Sequence, residues 1–359
     1  MARDPSRWLN KPCIPPMRLD PGMKVTDLVQ AYQESGSFQA GRLADACRIY
    51  KRMIEGKAGI ALTLAGAMTP TGMGGALARM IAHGAIDWIV ATGANVYHDL
   101  HFALDLPPHQ GEFNVNDAEL EKDGVERIYD IFITDRIMYQ TDYWFYEVMT
   151  AHKGKTMSTA ELHYILGQAL IREGVDPLRS FIAAAAKYDV PVYTSSPGDS
   201  GIGQNFVNLE IHGIPIKFDP NKDVIETTAI VNALEKNGVV IIGGGSPKNF
   251  YLQTQPMLDM CLGIKKGGHD YDIQITTDAP HWGGLSGATP EEAVSWGKIN
   301  PEELKNSVVV YCDSTIAVPI IFSYILDQVP EQDPKRIYPR IPEMVERLKK
   351  ETTKPLYAT

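Results

Sequence analysis

Apolar positions along this chain fall into short continuous runs separated by helix-spaced stripes. The runs are Ile60–Leu64, Asp87–Ala91, Val239–Ile242, 272–277 and Val308–Tyr311. Runs this short, bounded by glycine or polar residues, predict buried strands. Ile128–Ile133 and Pro191–Thr194 predict two more. Between them, Leu43, Cys47, Tyr50 and Ile54 repeat at the spacing of one buried helix face. Similar stripes predict helices over 25–34, 76–83, 139–149, 182–187, 223–236, 250–263 and 316–326. Glu161 stands three residues after Ser158, a helix-start signature. Strands alternating with helices predict an α/β protein: a Rossmann-like parallel sheet with helices on both faces.

No internal repeat or linker divides the chain, so one large domain with N- and C-terminal elaborations is expected. Residues 1–34 form an arm and a short helix, 35–327 the main domain, and 328–359 a peripheral segment. Prolines at 5, 12, 15, 16 and 21 make the arm extended. It either packs on a neighbouring subunit or trails as a tail.

Most predicted strands run into a turn rich in Gly, Ser or Asp, at the end where parallel sheets bind ligands. Gly243-Gly244-Gly245 directly after an apolar strand is the stronger dinucleotide signal. Ala65–Gly75 is weaker, since it is no GxGxxG, and a crowded turn explains it equally well. Asp199, in the loop Ser195–Gly203, is a candidate partner for a ribose hydroxyl. Tyr97, His98, Asp99 and His101 cluster after another strand. No further ligands at recognisable spacing accompany them, so no metal is expected, and a polar ligand-contact segment is the preferred reading.

Composition narrows the function classes. The 34 basic residues against 44 acidic ones give a net charge of −10. This argues against general nucleic-acid binding and is compatible with cationic ligands such as polyamines. Four cysteines without metal or disulfide spacing suit a reduced, cytoplasmic protein. No apolar run approaches the roughly 18 residues of a membrane span, and no signal-peptide pattern opens the chain, so no membrane partner is expected.

The candidate chemistry lies in 278–298. Glu291, Glu292, Trp296 and Lys298 follow a strand and a glycine-rich turn containing Gly283, Gly284 and Gly287. An acid and an aromatic would hold a cationic amine, and the lysine would serve as an amine nucleophile. Lysine forms imines only as the free base, and its reference pKa is about 10.4, so the site would have to lower it. On these residues alone, a solvated lysine in an ordinary loop is the competing reading.

Gly287-Ala-Thr-Pro-Glu-Glu-Ala-Val-Ser-Trp-Gly-Lys-Ile299 resembles the active-site signature of the deoxyhypusine synthase family. The resemblance extends more weakly over about 35–327. It implies an NAD-dependent enzyme that takes an aminobutyl group from spermidine, holds it as an imine on Lys298, and passes it to an acceptor amine. It also implies a homotetramer with sites shared between paired subunits. By the same resemblance, Gly244, Gly245, Asp199, Thr277, Asp278, Gly283, Ser286, Asp313 and Ser314 contact the dinucleotide, and Glu292 and Trp296 contact the donor.

Other positions depart from the family pattern. Asn249 stands where a proton-handling histidine is expected, and an amide is no general base near neutral pH. Gln204 and Leu285 replace acids, and Tyr97-His98 replaces a pair of glutamates. These substituted positions remain expected substrate contacts. His98 is the candidate replacement base, and Glu291 or Asp278 a candidate carboxylate. A pocket altered this much points to a changed acceptor, a free diamine such as putrescine, giving homospermidine. The alternatives are a lysine of a translation initiation factor, or a non-catalytic NAD- or polyamine-binding protein.

Overall fold

The computed structural model describes residues 6–352. Its centre is a six-stranded sheet. The strands are β1 (Gly59–Leu64), β2 (Trp88–Ala91), β3 (Val192–Thr194), β4 (Asn237–Ile242), β5 (Tyr271–Thr276) and β6 (Ser307–Tyr311). They lie in the order β6-β5-β4-β1-β2-β3, and every neighbouring pair is parallel. This is the doubly wound dinucleotide-binding order, and its direction reverses between β1 and β4.

The strands are apolar throughout because both faces are covered. Ile60, Leu62 and Leu64 of β1, with Val240 and Ile242 of β4, face one core. Helices Phe38–Glu55, Met73–Ala82 and Ser314–Gln328 close that side through Tyr50, Leu77 and Phe322. The alternate residues Ala61, Val239 and Ile241 face a second core. Ile230 of helix Pro220–Ala233, Tyr251, and Ile341, Met344 and Leu348 of helix Ile341–Glu351 complete it. Lys335 pins the chain leading to that last helix: its Nζ lies 2.7 Å from Asp87 Oδ2, which also accepts from Ile60 N–H at 2.7 Å.

The α/β architecture follows the hydrophobic pattern, with two local differences. The strand expected over 128–133 is an antiparallel hairpin, Val125–Ile128 with Ile131–Thr134. Tyr129 takes φ 55° and starts the two-residue turn, a left-handed geometry that hairpin loops favour. The helix expected over 250–263 runs instead from Gly245 to Leu252, and Met257–Cys261 forms a π-helical turn. Pro256 has no N–H for the carbonyl one turn back, which interrupts the regular helix.

Ser158 caps helix Thr159–Arg172 as expected, accepting from Glu161 N–H at 3.2 Å. The described part of the arm is exposed, including Trp8, Leu9, Ile14 and Leu19. No helix among the described residues is long and apolar enough to cross a membrane.

Candidate active site

The lysine is presented by a short helix and a glycine turn. Thr289 caps helix Pro290–Ser295 by accepting from Glu292 N–H at 3.3 Å. The helix ends at Trp296, and Gly297 follows at φ 66°. That left-handed conformation suits glycine and turns the chain back on the helix end. Lys298 N–H then donates to Ala293 O, and Lys298 O accepts from His269 N–H. The turn brings Lys298 Nζ to 5.6 Å from the centre of the Trp296 ring. The same Nζ donates to Asn249 Oδ1 at 2.9 Å.

Lys298 lines a cavity of about 170 Å³ together with Asn249, Leu285, Glu292 and Trp296. Burial pushes its amine below the usual lysine range, and Glu292 opposes the shift. A larger recess of about 560 Å³ adjoins it, sharing Asn249 and Leu285. Trp296 is 64% exposed, so the lysine cavity is open on that side.

Lys248 and Asp272, which the sequence reading passed over, also line this cavity, and Gln274 holds Lys248 beside it. Lys248 is buried and donates through Nζ to Gln274 Oε1 at 2.8 Å and to Ala288 O at 2.6 Å. Burial lowers its pKa as well, with Asp272 opposing. Asp272 and Gln274 come from β5, on the face opposite Ile273 and Ile275. Polar residues at alternate positions of a wholly buried strand were the available signal.

The expected dinucleotide residues gather at the carboxyl ends of β4, β5 and β6. Ser286 Oγ accepts from Gly245 N–H at 2.9 Å. A Cβ on Gly244 would stand 2.6 Å from Ser286 Cα, so only glycine fits. A Cβ on Gly245 would meet nothing within 4 Å, so the backbone there faces open space. Thr277, Asp278 and Gly283 follow β5. Asp313 and Ser314 follow β6, where Asp313 caps the next helix by accepting from Thr315 N–H at 2.7 Å. Asp199 is exposed on the loop after β3. Ser246 Oγ donates to Ser195 Oγ at 2.8 Å, which ties that loop to the glycine turn. The Ala65 carbonyl after β1 approaches Gly243 closely. Glycine backbone and acids around the β1/β4 reversal suit the phosphates and riboses of a dinucleotide.

Tyr97, His98 and Gln204 stand elsewhere. They lie on the neighbouring helices Gly93–Ala103 and Gly201–Ile211, after β2 and β3, and none of them lines the lysine cavity. Tyr97 donates to Asp142 Oδ1 at 2.6 Å. His98 packs against His101, with ring centres 5.2 Å apart, and burial lowers its pKa to about 4.

The sequence matches the profile described as deoxyhypusine synthase over residues 27–325. The chain belongs to the deoxyhypusine synthase family. A deoxyhypusine synthase-like protein of Nostoc punctiforme is 43% identical over 350 residues, covering 94% of this chain and 89% of that one. Probable deoxyhypusine synthase 2 of Methanosarcina acetivorans is 39% identical over 334 residues, covering 92% and 94%. A crystal structure from Entamoeba histolytica, titled as a candidate deoxyhypusine synthase, superposes with a TM-score of 0.60 at 17% identity. It covers 87% of this chain and 96% of that chain, a likeness of fold.

Proposed function

We propose that this member of the deoxyhypusine synthase family is an NAD-dependent 4-aminobutyl transferase that takes its group from spermidine through an imine on Lys298. One observation carries the reading. Lys298 is a partly buried amine of lowered pKa, held by Asn249 at 2.9 Å against the Trp296 ring in a narrow cavity. A lowered pKa raises the free-base fraction that attacks carbon. Glu292 offers a carboxylate to an ammonium, and Trp296 offers a π-face.

NAD, when bound, supplies a hydride acceptor for the donor amine and later the hydride donor. Gly244, Gly245 and Ser286 would hold its phosphates, with Asp199, Thr277, Asp278, Gly283, Asp313 and Ser314 around the rest. An imine also needs water excluded. The open Trp296 side would be closed by a second subunit of a homotetramer, which is also the way to bring Tyr97, His98 and Gln204 to the lysine.

The acceptor in this reading is a free diamine such as putrescine. Asn249 and Leu285 put an amide and an alkyl group at positions where the family resemblance calls for a histidine and an acid. The name of the Methanosarcina relative favours a second reading, transfer to a protein lysine. The test incubates the protein with NAD and spermidine, with and without putrescine, followed by borohydride and peptide mass spectrometry. An aminobutyl adduct on Lys298 is expected, with homospermidine appearing only when putrescine is present. Propane-1,3-diamine release without homospermidine supports the protein-lysine reading. The absence of both products and of the adduct would rule out the transferase.

A further inference from the structure

The recess beside the lysine cavity, about 560 Å³, lies within the ~300–1,000 Å³ typical of small-ligand sites. Three segments wall it. Helix Pro220–Ala233 contributes Val224 and Thr228, four residues apart and so on one face. Helix Gly245–Leu252 contributes Phe250. The π-helical turn contributes Met257, Met260 and Cys261. Such turns are frequent at functional sites, and methionine adapts to the shape of an apolar ligand. Among the described residues that line the recess, none carries a charge. The lysine cavity differs, because Lys248, Asp272, Glu292 and Lys298 all line it. Asn249 and Leu285 line both, so the charged and the uncharged space meet at those two side chains.

We propose that this recess is a specificity site for an amine with an uncharged, apolar body, whose nitrogen reaches past Asn249 and Leu285 towards Lys298. The inference rests on the transferase reading and defines which free amines its acceptor site favours. Putrescine is accepted, and a longer alkyl or aryl monoamine is held better. A hydrocarbon chain lying along Phe250, Met257 and Met260 is removed from water, and that burial drives binding. A second ammonium placed there would lose part of its hydration, and no carboxylate in the recess would replace the lost water. The first ammonium escapes that cost, because Glu292 stands on its side of the junction. The two spaces thus sort one ligand by polarity: nitrogen towards the lysine, hydrocarbon into the recess.

The test measures binding of butylamine, octylamine and octane-1,8-diamine by calorimetry, and alkylation of Cys261 and Cys13 by iodoacetamide with peptide mass spectrometry. Both thiols are exposed, and of the two only Cys261 lines the recess. Octylamine is expected to bind at least about tenfold more tightly than either butylamine or the diamine. It should also slow labelling of Cys261 several-fold and leave Cys13 unchanged. Leu285→Asp and Met260→Glu each bring a carboxylate to the recess at side chains that are 43% and 63% exposed, so the fold should tolerate them. Either variant should lose most of the preference for octylamine over the diamine. Equal affinities in wild type overturn the inference, as does Cys261 labelling that octylamine does not slow. A preference that survives in both variants overturns it as well. A wild type that forms the Lys298 adduct with spermidine but shows no octylamine preference sinks this inference alone. A wild type that shows the preference and the Cys261 protection but forms no adduct sinks the transferase reading and leaves the recess standing as an apolar-amine site.

Discussion

Lys298 Nζ donates to Asn249 Oδ1 at 2.9 Å, joining the turn after helix Pro290–Ser295 to the helix that follows the glycine turn. A hydrogen bond from an ammonium to a neutral oxygen favours the charged lysine, against the burial that favours the free base. Asn249→Ala removes the favourable part only. The pH midpoint of imine trapping is expected to move to lower pH in the variant, with the adduct still on Lys298. The check is adduct yield against pH after borohydride. A midpoint that moves upward refutes the balance described here.

Lys298→Ala is expected to abolish the adduct without disturbing the fold. The side chain is only partly buried, and its backbone contacts to Ala293 and His269 survive the change. Circular dichroism and a Tm within a few degrees of wild type check the fold. Peptide mapping checks that no neighbouring lysine, Lys248 included, takes over.

Gly244→Ala tests the dinucleotide crevice. The added Cβ would stand 2.6 Å from Ser286 Cα, which is backbone and cannot swing aside. Such overpacking costs about 1–3 kcal/mol. The variant should melt earlier, and NAD, which the proposed function expects to raise the Tm of wild type, should raise that of the variant less.

These contacts differ in how far the sequence announces them. Trp296, Gly297 and Lys298 are adjacent, so their convergence follows from one helix end and one glycine. The doubly wound order was foreshadowed by apolar strands that ended in polar turns. Asp272 and Gln274 were harder, because β5 reads as a mostly apolar run and its polar positions matter only once the face they occupy is known. The hairpin at Tyr129 was missed for a similar reason: a two-residue turn without glycine carries little local signal. The Ser286 bond to Gly245 joins residues far apart in the chain, and local patterning cannot see it.

Lys335→Met should destabilise the protein strongly. Asp87 is 1% exposed and Lys335 is its ion-pair partner at 2.7 Å. Removing one member of a buried pair leaves an uncompensated charge and costs about 3–5 kcal/mol. The double variant Lys335→Met with Asp87→Asn should recover part of the loss. Urea denaturation measures both.

His163 sets a pH dependence. It is buried, its Nδ1 bonds the Val192 carbonyl at 2.7 Å, and burial lowers its pKa from 6.5 to about 4. The unfolded chain takes up a proton near 6.5 and the folded one does not, so this group's contribution to stability falls as pH falls from 6.5 towards 4. The slope is about 1.4 kcal/mol per pH unit. His163→Gln has no such proton. The stability gap between wild type and variant should therefore narrow by that slope on acidification and stay constant above pH 7. Urea titrations at several pH values measure it.

The last prediction concerns assembly. Lys298 belongs to the β4–β5 half of the sheet, whereas Tyr97 and His98 ride on the helix after β2 and do not line the lysine cavity. In the proposed homotetramer, His98 and Lys298 would act on one substrate from different chains. Trp296 is 64% exposed beside the lysine, and Val207 and Ile211 are exposed on the helix that carries Gln204. Apolar surface of this kind is what a subunit contact would cover. His98→Ala and Lys298→Ala, each weakly active or inactive alone, should regain a measurable fraction of wild-type turnover when unfolded together and refolded as mixed oligomers. Random mixing places both intact residues at some of the shared sites. Mixed oligomers that stay inactive would mean that the two residues do not meet at one site. A fully active His98→Ala would remove His98 from the mechanism altogether.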